Sequence, residues 1–276
     1  MRAVTIIAGK ELRDGLRNKW VIATTLLLAV LALTLAFLGS APTGTVKVSP
    51  LLVTVVSLSS LTIFLLPLIA LLLSYDAIVG EIDRGTMALL MSYPVSRWEI
   101  MIGKFLGHLA ILAIATVVGY GVAGIALQLV NGDLGIEAWQ AFLGMIGYSV
   151  MLGGAFIAIG YLVSASVGDR GTAGGIAIGV WLIFVLVYDM ALLGILVVDQ
   201  GRILTGERLN WVLLFNPADA YRLLNLTGYS NVSMLAGVAG LGGEIGLPRS
   251  VLMAALAAWT IVPLAIASTL FSRRQL

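Results

Sequence analysis

The chain has 276 residues, 60% of them apolar and only 11% charged, with no cysteine and a formal net charge of +2. A soluble domain carries about 25% charged residues, so this composition excludes one. The small net charge gives no nucleic-acid signal, and the missing cysteines exclude disulfides, thiolate metal sites and cysteine nucleophiles.

Residues 3–18 predict an amphipathic helix. Lys10, Arg13, Asp14 and Arg17 form one charged stripe, while Val4, Ile7, Ala8, Leu12 and Leu16 cover the opposite arc. Such a helix lies in the membrane interface, its cationic face toward water and lipid head groups. Six apolar stretches follow, at 20–38, 51–73, 105–130, 139–167, 172–198 and 251–271. Each is long enough for the roughly 20 residues that cross a bilayer core. Backbone polar groups in lipid must be satisfied internally, so the stretches are helices. The predicted fold class is an all-α polytopic membrane protein with six transmembrane helices. It adds an N-terminal interfacial helix (1–19), a helix in the loop 74–104 and short outer-leaflet helices in the loop 199–250, all within one transmembrane domain, 1–276.

Basic residues set the orientation. Arg2, Lys10, Arg13, Arg17, Lys19, Arg84, Arg97, Lys104, Arg170, Arg273 and Arg274 fall on one side, 11 of the 16. The positive-inside rule puts that side, with both termini, in the cytoplasm. The 19-residue first apolar run, preceded by an amphipathic helix, reads as a retained span rather than a cleaved signal.

The loop from Glu81 to Lys104 is a charged island between apolar runs. Glu81, Asp83 and Arg84 precede a short amphipathic helix with Met87, Leu90 and Met91 on one face. Pro94 breaks it, and Ser96 with Glu99 forms a capping box that starts the next helix. An apolar helix face at the inner surface is expected to enter a groove on a soluble partner.

Within the spans, Thr54, Ser57, Ser59, Ser60 and Thr62 form a polar row before Pro67. Two readings stand: hydroxyls bonding the preceding turn, or the lining of a narrow translocation path. Gly103 with Gly107, and Gly171 with Gly175 and Gly179, have the spacing that lets helices approach closely, and the expectation is packing within one subunit. Asp189 lies nine residues before the outer end of span five, about 14 Å of helical rise. A carboxylate at that depth belongs against protein or a wet cavity, either on the translocation path or tying span five to a neighbour. In the outer loop, Asn216 caps a predicted helix with Pro217 at its first position and Asp219 in its first turn. Two short helices at or dipping into the outer leaflet are expected there. His108 is expected to be a satisfied interfacial histidine, and the scattered methionines read as core packing rather than a copper site.

No phosphate-binding loop is present: Gly9-Lys10 and Gly103-Lys104 are followed by Glu11 and Phe105. With one histidine and no cysteine, this chain is not expected to be an enzyme.

The acidic–Gly-Thr–Pro-Val-Ser pattern of 81–96 resembles the coupling region of type 2 ABC-exporter permeases. The likeness extends over Lys10–Asp14, the 80–104 loop, all six spans and 216–222. Within that family the chain is similar to the permeases of transporters that mature nitrous oxide reductase. The resemblance implies a single permease domain, a homodimer, two ATPase subunits (NosF-like) and a periplasmic NosD-like protein. It also implies that ATP and Mg are bound by the ATPase subunit, with no cofactor in this chain. Glu81, Asp83, Arg84, Met87, Leu90, Met91 and Pro94 would be coupling residues. Thr54, Ser57 and Asp189 would line the path, and Asn216, Tyr221 and Arg222 would meet the periplasmic partner. The implied cargo is a sulfur species for a copper–sulfide centre. An anionic cargo prefers a basic pathway, whereas the spans offer Asp189 and no Arg or Lys. A mechanical scaffold that reshapes a periplasmic partner, and a proton-coupled carrier using Asp189, remain alternatives.

Overall fold

A computed structural model describes residues 2–38, 49–132, 134–199, 206–227 and 247–274; Lys47 and Arg202, two of the basic residues assigned to the opposite side from those 11, lie outside them. In chain order the helices are α1 (Arg2–Leu16), α2 (Lys19–Leu38), α3 (Pro50–Ser74), α4 (Val79–Asp83), α5 (Thr86–Met91), α6 (Arg97–Asn131) and α7 (Ile136–Ser166). Next come α8 (Arg170–Leu182), a π-helical turn (Ile183–Val187) and α9 (Tyr188–Asp199). The chain then forms α10 (Gly206–Leu214), α11 (Pro217–Thr227) and α12 (Arg249–Arg273). Among the described residues, six helical segments are long and apolar enough to cross a membrane: α2, α3 with α4, α6, α7, α8 with α9, and α12.

The helix α7 is the axis of the bundle. In its most apolar window 72% of residues are buried, against 6% for α8–α9. A helix apolar all round is buried by its neighbours, and here α3 and α12 cover it. Phe156 of α7, Phe184 of the π-turn and Trp259 of α12 stack edge to face, with centroids 6.0 and 5.3 Å apart. Span five has few such contacts: apart from the buried Ala173, Ala177 and Val185, most of its side chains stand outward.

The amphipathic α1 docks as well as lies at the boundary. Ile7 meets Gly103, Glu11 meets Gly107 and Gly15 meets Ile111. Both helices advance four residues per contact, so they run in the same direction. A Cβ on Gly103 or Gly107 would come within 2.8 or 2.5 Å of those side chains, which is why only glycine fits there. The pair Gly103/Gly107 therefore receives α1 rather than another span, and α2 continues the contact through Leu28 against Gly119. The other glycine stripe departs from expectation. Gly175 and Gly179 have no neighbour within 4 Å, and α8 instead buries Ala173 and Ala177. Alanine occupies the face turned to the subunit, leaving the glycine face open.

The polar row of α3 bonds its own backbone: Thr54 donates to Pro50 O, Ser59 and Ser60 to Val56 O, and Thr62 to Leu58 O. Near Pro67, where the ladder is interrupted, Phe64 O accepts the Trp181 indole N–H at 2.9 Å and joins α3 to α8.

Candidate functional site: two polar centres at opposite ends of the bundle

The first centre lies at the end that carries both termini. Gly85, with φ of 71°, adopts the left-handed conformation that lets α4 and α5 meet in a tight turn. The Lys104 side chain, 4% exposed, sits between Glu11 of α1 at 2.8 Å and Glu81 of α4 at 3.0 Å. Thr86 donates to the other oxygen of Glu81. Burial would raise Glu11, but the charge and hydrogen bond of Lys104 outweigh it and hold this carboxyl below its ordinary range. His108 Nδ1 pairs with Tyr161 OH at 2.9 Å, while its Nε2 lies 3.8 Å from Glu11.

Further ties fix the same loop. Ser164 of α7 accepts the N–H groups of Ile78 and Val79 at 3.0 and 3.1 Å, the donors that the start of α4 leaves without helical partners. Arg170 at the head of α8 binds Asp76 at 2.7 Å. Ser96 N–H donates to Glu99 at 3.0 Å in the capping box that opens α6. Arg97 donates to the carbonyls of Phe271, Ser272 and Arg274 at the end of α12, with its guanidinium over the Phe271 ring.

This geometry corrects the expected docking face. Met87 is 1% exposed, and Leu90 and Met91 pack half-buried against the bundle core. The more apolar stripe of α5 is claimed by its own protein. The outward side carries Leu89 at 68% and Tyr93 at 67% exposure, with Asp83, Arg84, Ala88 and Pro94 exposed beside them. Glu81 faces inward to Lys104.

The second centre is at the far end. The helix α11 folds back against α12, α7 and α3, with α10 beside it and the Asn216-Pro217 turn joining the two. Asn216 is fully buried. Its Oδ1 accepts Ala218 N–H at 3.0 Å as the helix cap, and its Nδ2 donates to Asp219 and to Phe184 O, both at 2.9 Å. The π-turn shifts the backbone ladder, and Phe184 O there takes a partner from outside its helix. Phe184 lies 15 residues before Asp199, about 22 Å of rise. The hairpin thus reaches deep into the bundle. Tyr221 is buried and meets Ser149 of α7 at 3.0 Å, while Thr62 meets Tyr120 at 2.8 Å. Tyr188 OH donates to Val212 O, and Trp259 N–H to Leu214 O.

Asp189 finds its partner here. Arg222 donates through one amino group to Asp189 at 2.7 Å and through the other to Asp219 at 2.5 Å. The basic group missing from the spans comes from the folded-back helix α11. Asn216 and Tyr221 are removed from the outer surface, and Arg222 is half-buried in its ion pairs, so none of the three presents a free contact to a partner outside the membrane. Sequence reasoning missed Glu11, Lys104, Ser164 and the Asp76–Arg170 pair as a group. An ionisable side chain inside an otherwise apolar run, as at Lys104, was the available signal.

The comparisons with known proteins decide the family. A family model described as "ABC-2 family transporter protein" matches residues 5–276. The chain belongs to the ABC-2 transporter family. Among its relatives in that family, "Probable ABC transporter permease protein NosY" of Stutzerimonas stutzeri is 47% identical over 276 residues, covering 99% of each chain. The protein of the same name from Pseudomonas aeruginosa is 46% identical over 277 residues, covering 100% of both. As an ABC-2 permease, the chain is a membrane-spanning subunit; one polar centre lies at the end that carries both termini, and the other lies part-way along span five.

Proposed function

We propose that this permease subunit couples ATP hydrolysis by a separate ATPase to delivery of a sulfur species for the copper–sulfide centre of nitrous oxide reductase. The observation that carries the coupling is the α4–α5 loop. It offers an exposed apolar tip; the buried Lys104 ion pairs and the Ser164 hydrogen bonds fasten it to α1, α6 and α7, and the partly exposed Asp76–Arg170 pair ties it to α8. A force on the tip is passed to the spans instead of being absorbed by a loose segment. The full-length similarity to proteins named NosY supports the choice of target enzyme.

In this reading two copies pair through the open glycine face of span five, where Gly175 and Gly179 allow close approach. Two NosF-like ATPases, holding ATP and Mg, dock on the cytoplasmic α4–α5 tips, and a NosD-like protein sits on the periplasmic side. The chain itself performs no catalysis. The charge asymmetry supports an inner-membrane orientation with both termini in the cytoplasm.

Leu89→Asp tests the coupling. An unpaired charge buried in the contact costs several kcal/mol, so co-purification of the ATPase in detergent should weaken by more than a hundredfold at equal expression. Met87→Asp, facing the core, should instead lower expression. Wild-type ATPase retention by Leu89→Asp would remove the coupling assignment.

A further inference from the structure

At the end that carries both termini, the turn between α7 and α8 and the last turn of α12 enclose an open cleft of about 450 Å³. That volume falls within the range of about 300–1,000 Å³ of small-ligand sites. Ala165, Val167 and Leu270 give it apolar walls, the Gly168 backbone borders it, and Arg273 and Arg274 supply two cations. The end of α12 is anchored: Arg97 of α6 donates to the carbonyls of Phe271, Ser272 and Arg274 at 2.7, 3.0 and 2.7 Å. Both arginines therefore stand on fixed backbone. Among the described residues no carboxylate pairs with either of them. The Nη1 of Arg274 is shielded from solvent and has no acceptor, the single buried side-chain nitrogen or oxygen left so among the described residues. Charge asymmetry accounts for the side of the membrane on which the arginines lie, and a cation in the last turn of α12, as Arg273 is, complements the helix dipole. Neither effect accounts for a guanidinium nitrogen withdrawn from water beside a cleft.

We propose that this cleft binds an anionic phospholipid of the inner leaflet, its phosphate held by Arg273 and Arg274. A phosphodiester supplies the acceptor oxygens that Arg274 lacks, and guanidinium–phosphate pairs are charge-assisted and matched in shape. The level suits a head group. Trp98, next to the Arg97 that grips the end of α12, is 52% exposed, and tryptophan settles at the membrane boundary. The apolar part of a lipid also has a track to follow. Val262, Ile266 and Leu270 recur every four residues along α12, all three exposed, and their stripe runs down the span into the cleft. A soluble phosphate would use the arginines and leave that stripe without a role. A zwitterionic lipid brings its own cation toward the two guanidinium groups and is disfavoured, whereas basic pockets at the cytoplasmic ends of spans suit anionic head groups. Once bound, the lipid bridges the turn between spans four and five to the end of span six. Binding there requires neither a cargo nor the ATPase.

The test is native mass spectrometry of the full-length chain in detergent, titrated with phosphatidylglycerol or with phosphatidylcholine of the same chain length. One arginine at an anionic lipid surface contributes about fivefold, so two should favour phosphatidylglycerol by roughly twenty-five-fold. Arg273→Gln and Arg274→Gln should each lower that preference about fivefold, and the double variant should abolish it. Gly168→Trp fills the cleft without changing charge, since a Cβ at 168 meets nothing within 4 Å, and it should lose the lipid as well. Arg84→Gln removes an exposed charge that is not part of the cleft and should retain the lipid. Inorganic phosphate at the same concentration should not displace phosphatidylglycerol. Equal retention of both lipids by wild type would overturn the assignment, as would an equal loss in Arg84→Gln. Displacement by inorganic phosphate would give the site to a soluble anion instead. Unchanged lipid retention in Arg274→Gln, with loss of the co-purified ATPase, would give it to that partner; either result overturns the lipid site. Should the arginine variants fail to express, Gly168→Trp decides: full retention there also overturns it.

Discussion

Lys104→Met isolates the contribution of the cytoplasmic ion triad. Methionine keeps the length and apolar stem of lysine and removes only the charge, leaving Glu11 and Glu81 facing each other across a nearly dry site. Removing one partner from a buried ion pair costs about 3–5 kcal/mol. The lower end applies here, because Glu11 and Glu81 keep 12% and 16% exposure and Lys10 stands 3.5 Å from Glu11. About 3 kcal/mol corresponds to more than a hundredfold shift toward an undocked α1. Since Gly103 and Gly107 hold α1 only by close packing, undocking exposes the peptide bonds at Arg13 and Arg17. Tryptic cleavage there in detergent should accelerate, and melting followed by tryptophan fluorescence should start earlier. Adding Glu11→Gln and Glu81→Gln to Lys104→Met removes the stranded charges and should restore most of the protection. Wild-type cleavage rate and melting in Lys104→Met alone would refute the triad as the clamp. The same clamp has a pH limit. Glu11 is held below its ordinary range, so its stabilising contribution is present above that range and is lost as pH falls through the lowered value.

Two further predictions concern the other faces. Gly179→Leu adds bulk to the open stripe of span five and should shift the detergent-solubilised protein from dimer to monomer in cross-linking and light scattering, with the monomer fold intact; an unchanged dimer would place the seam elsewhere. Asn216→Ala leaves Phe184 O, Asp219 and the Ala218 N–H each without a side-chain partner. The lost cap and stranded polar groups should lower stability by about 2–4 kcal/mol, measured as earlier thermal unfolding.

What the sequence disclosed was mostly local. The spans follow from apolar length, and the capping residues Ser96 and Asn216 follow from contacts within one helical turn. Long-range choices were not legible. Lys104 reaches partners 93 and 23 residues away, and nothing in either segment specifies that pairing. The face that α5 turns inward was equally hidden. Periodicity marks Met87, Leu90 and Met91 as one apolar stripe, but a stripe has the same pattern whether it binds a partner or its own bundle. The glycine stripe of α8 failed for a related reason. Small residues permit close approach without naming the helix that approaches, and Ala173 and Ala177 already supply the buried face, Ala173 packing with Val79 of α4 and Val163 of α7. The outer loop revealed its cap but not its depth, since depth depends on Phe184 O being free to accept Asn216, a property of the π-turn in another span.

The two centres are joined by two segments of unequal stiffness. Along α7, Ser164 binds the start of α4 at one end and Ser149 binds Tyr221 at the other, with 14 residues of unbroken, mostly buried helix between them. Span five makes a parallel connection, from Arg170 on Asp76 to Asp189 on Arg222, but the π-turn interrupts it and its flanks are largely exposed. A displacement of the α4–α5 loop therefore meets a rigid post in α7 and a jointed one in span five. Because both posts end on α11, one through Tyr221 and the other through Arg222, any difference in their response acts as a shear on that single helix. The less tightly packed α11 contact is the ion pair, for Tyr221 is packed on all sides while the Arg222 and Asp189 side chains are 34% and 27% exposed. The geometry thus concentrates motion at the Asp189–Arg222 seam.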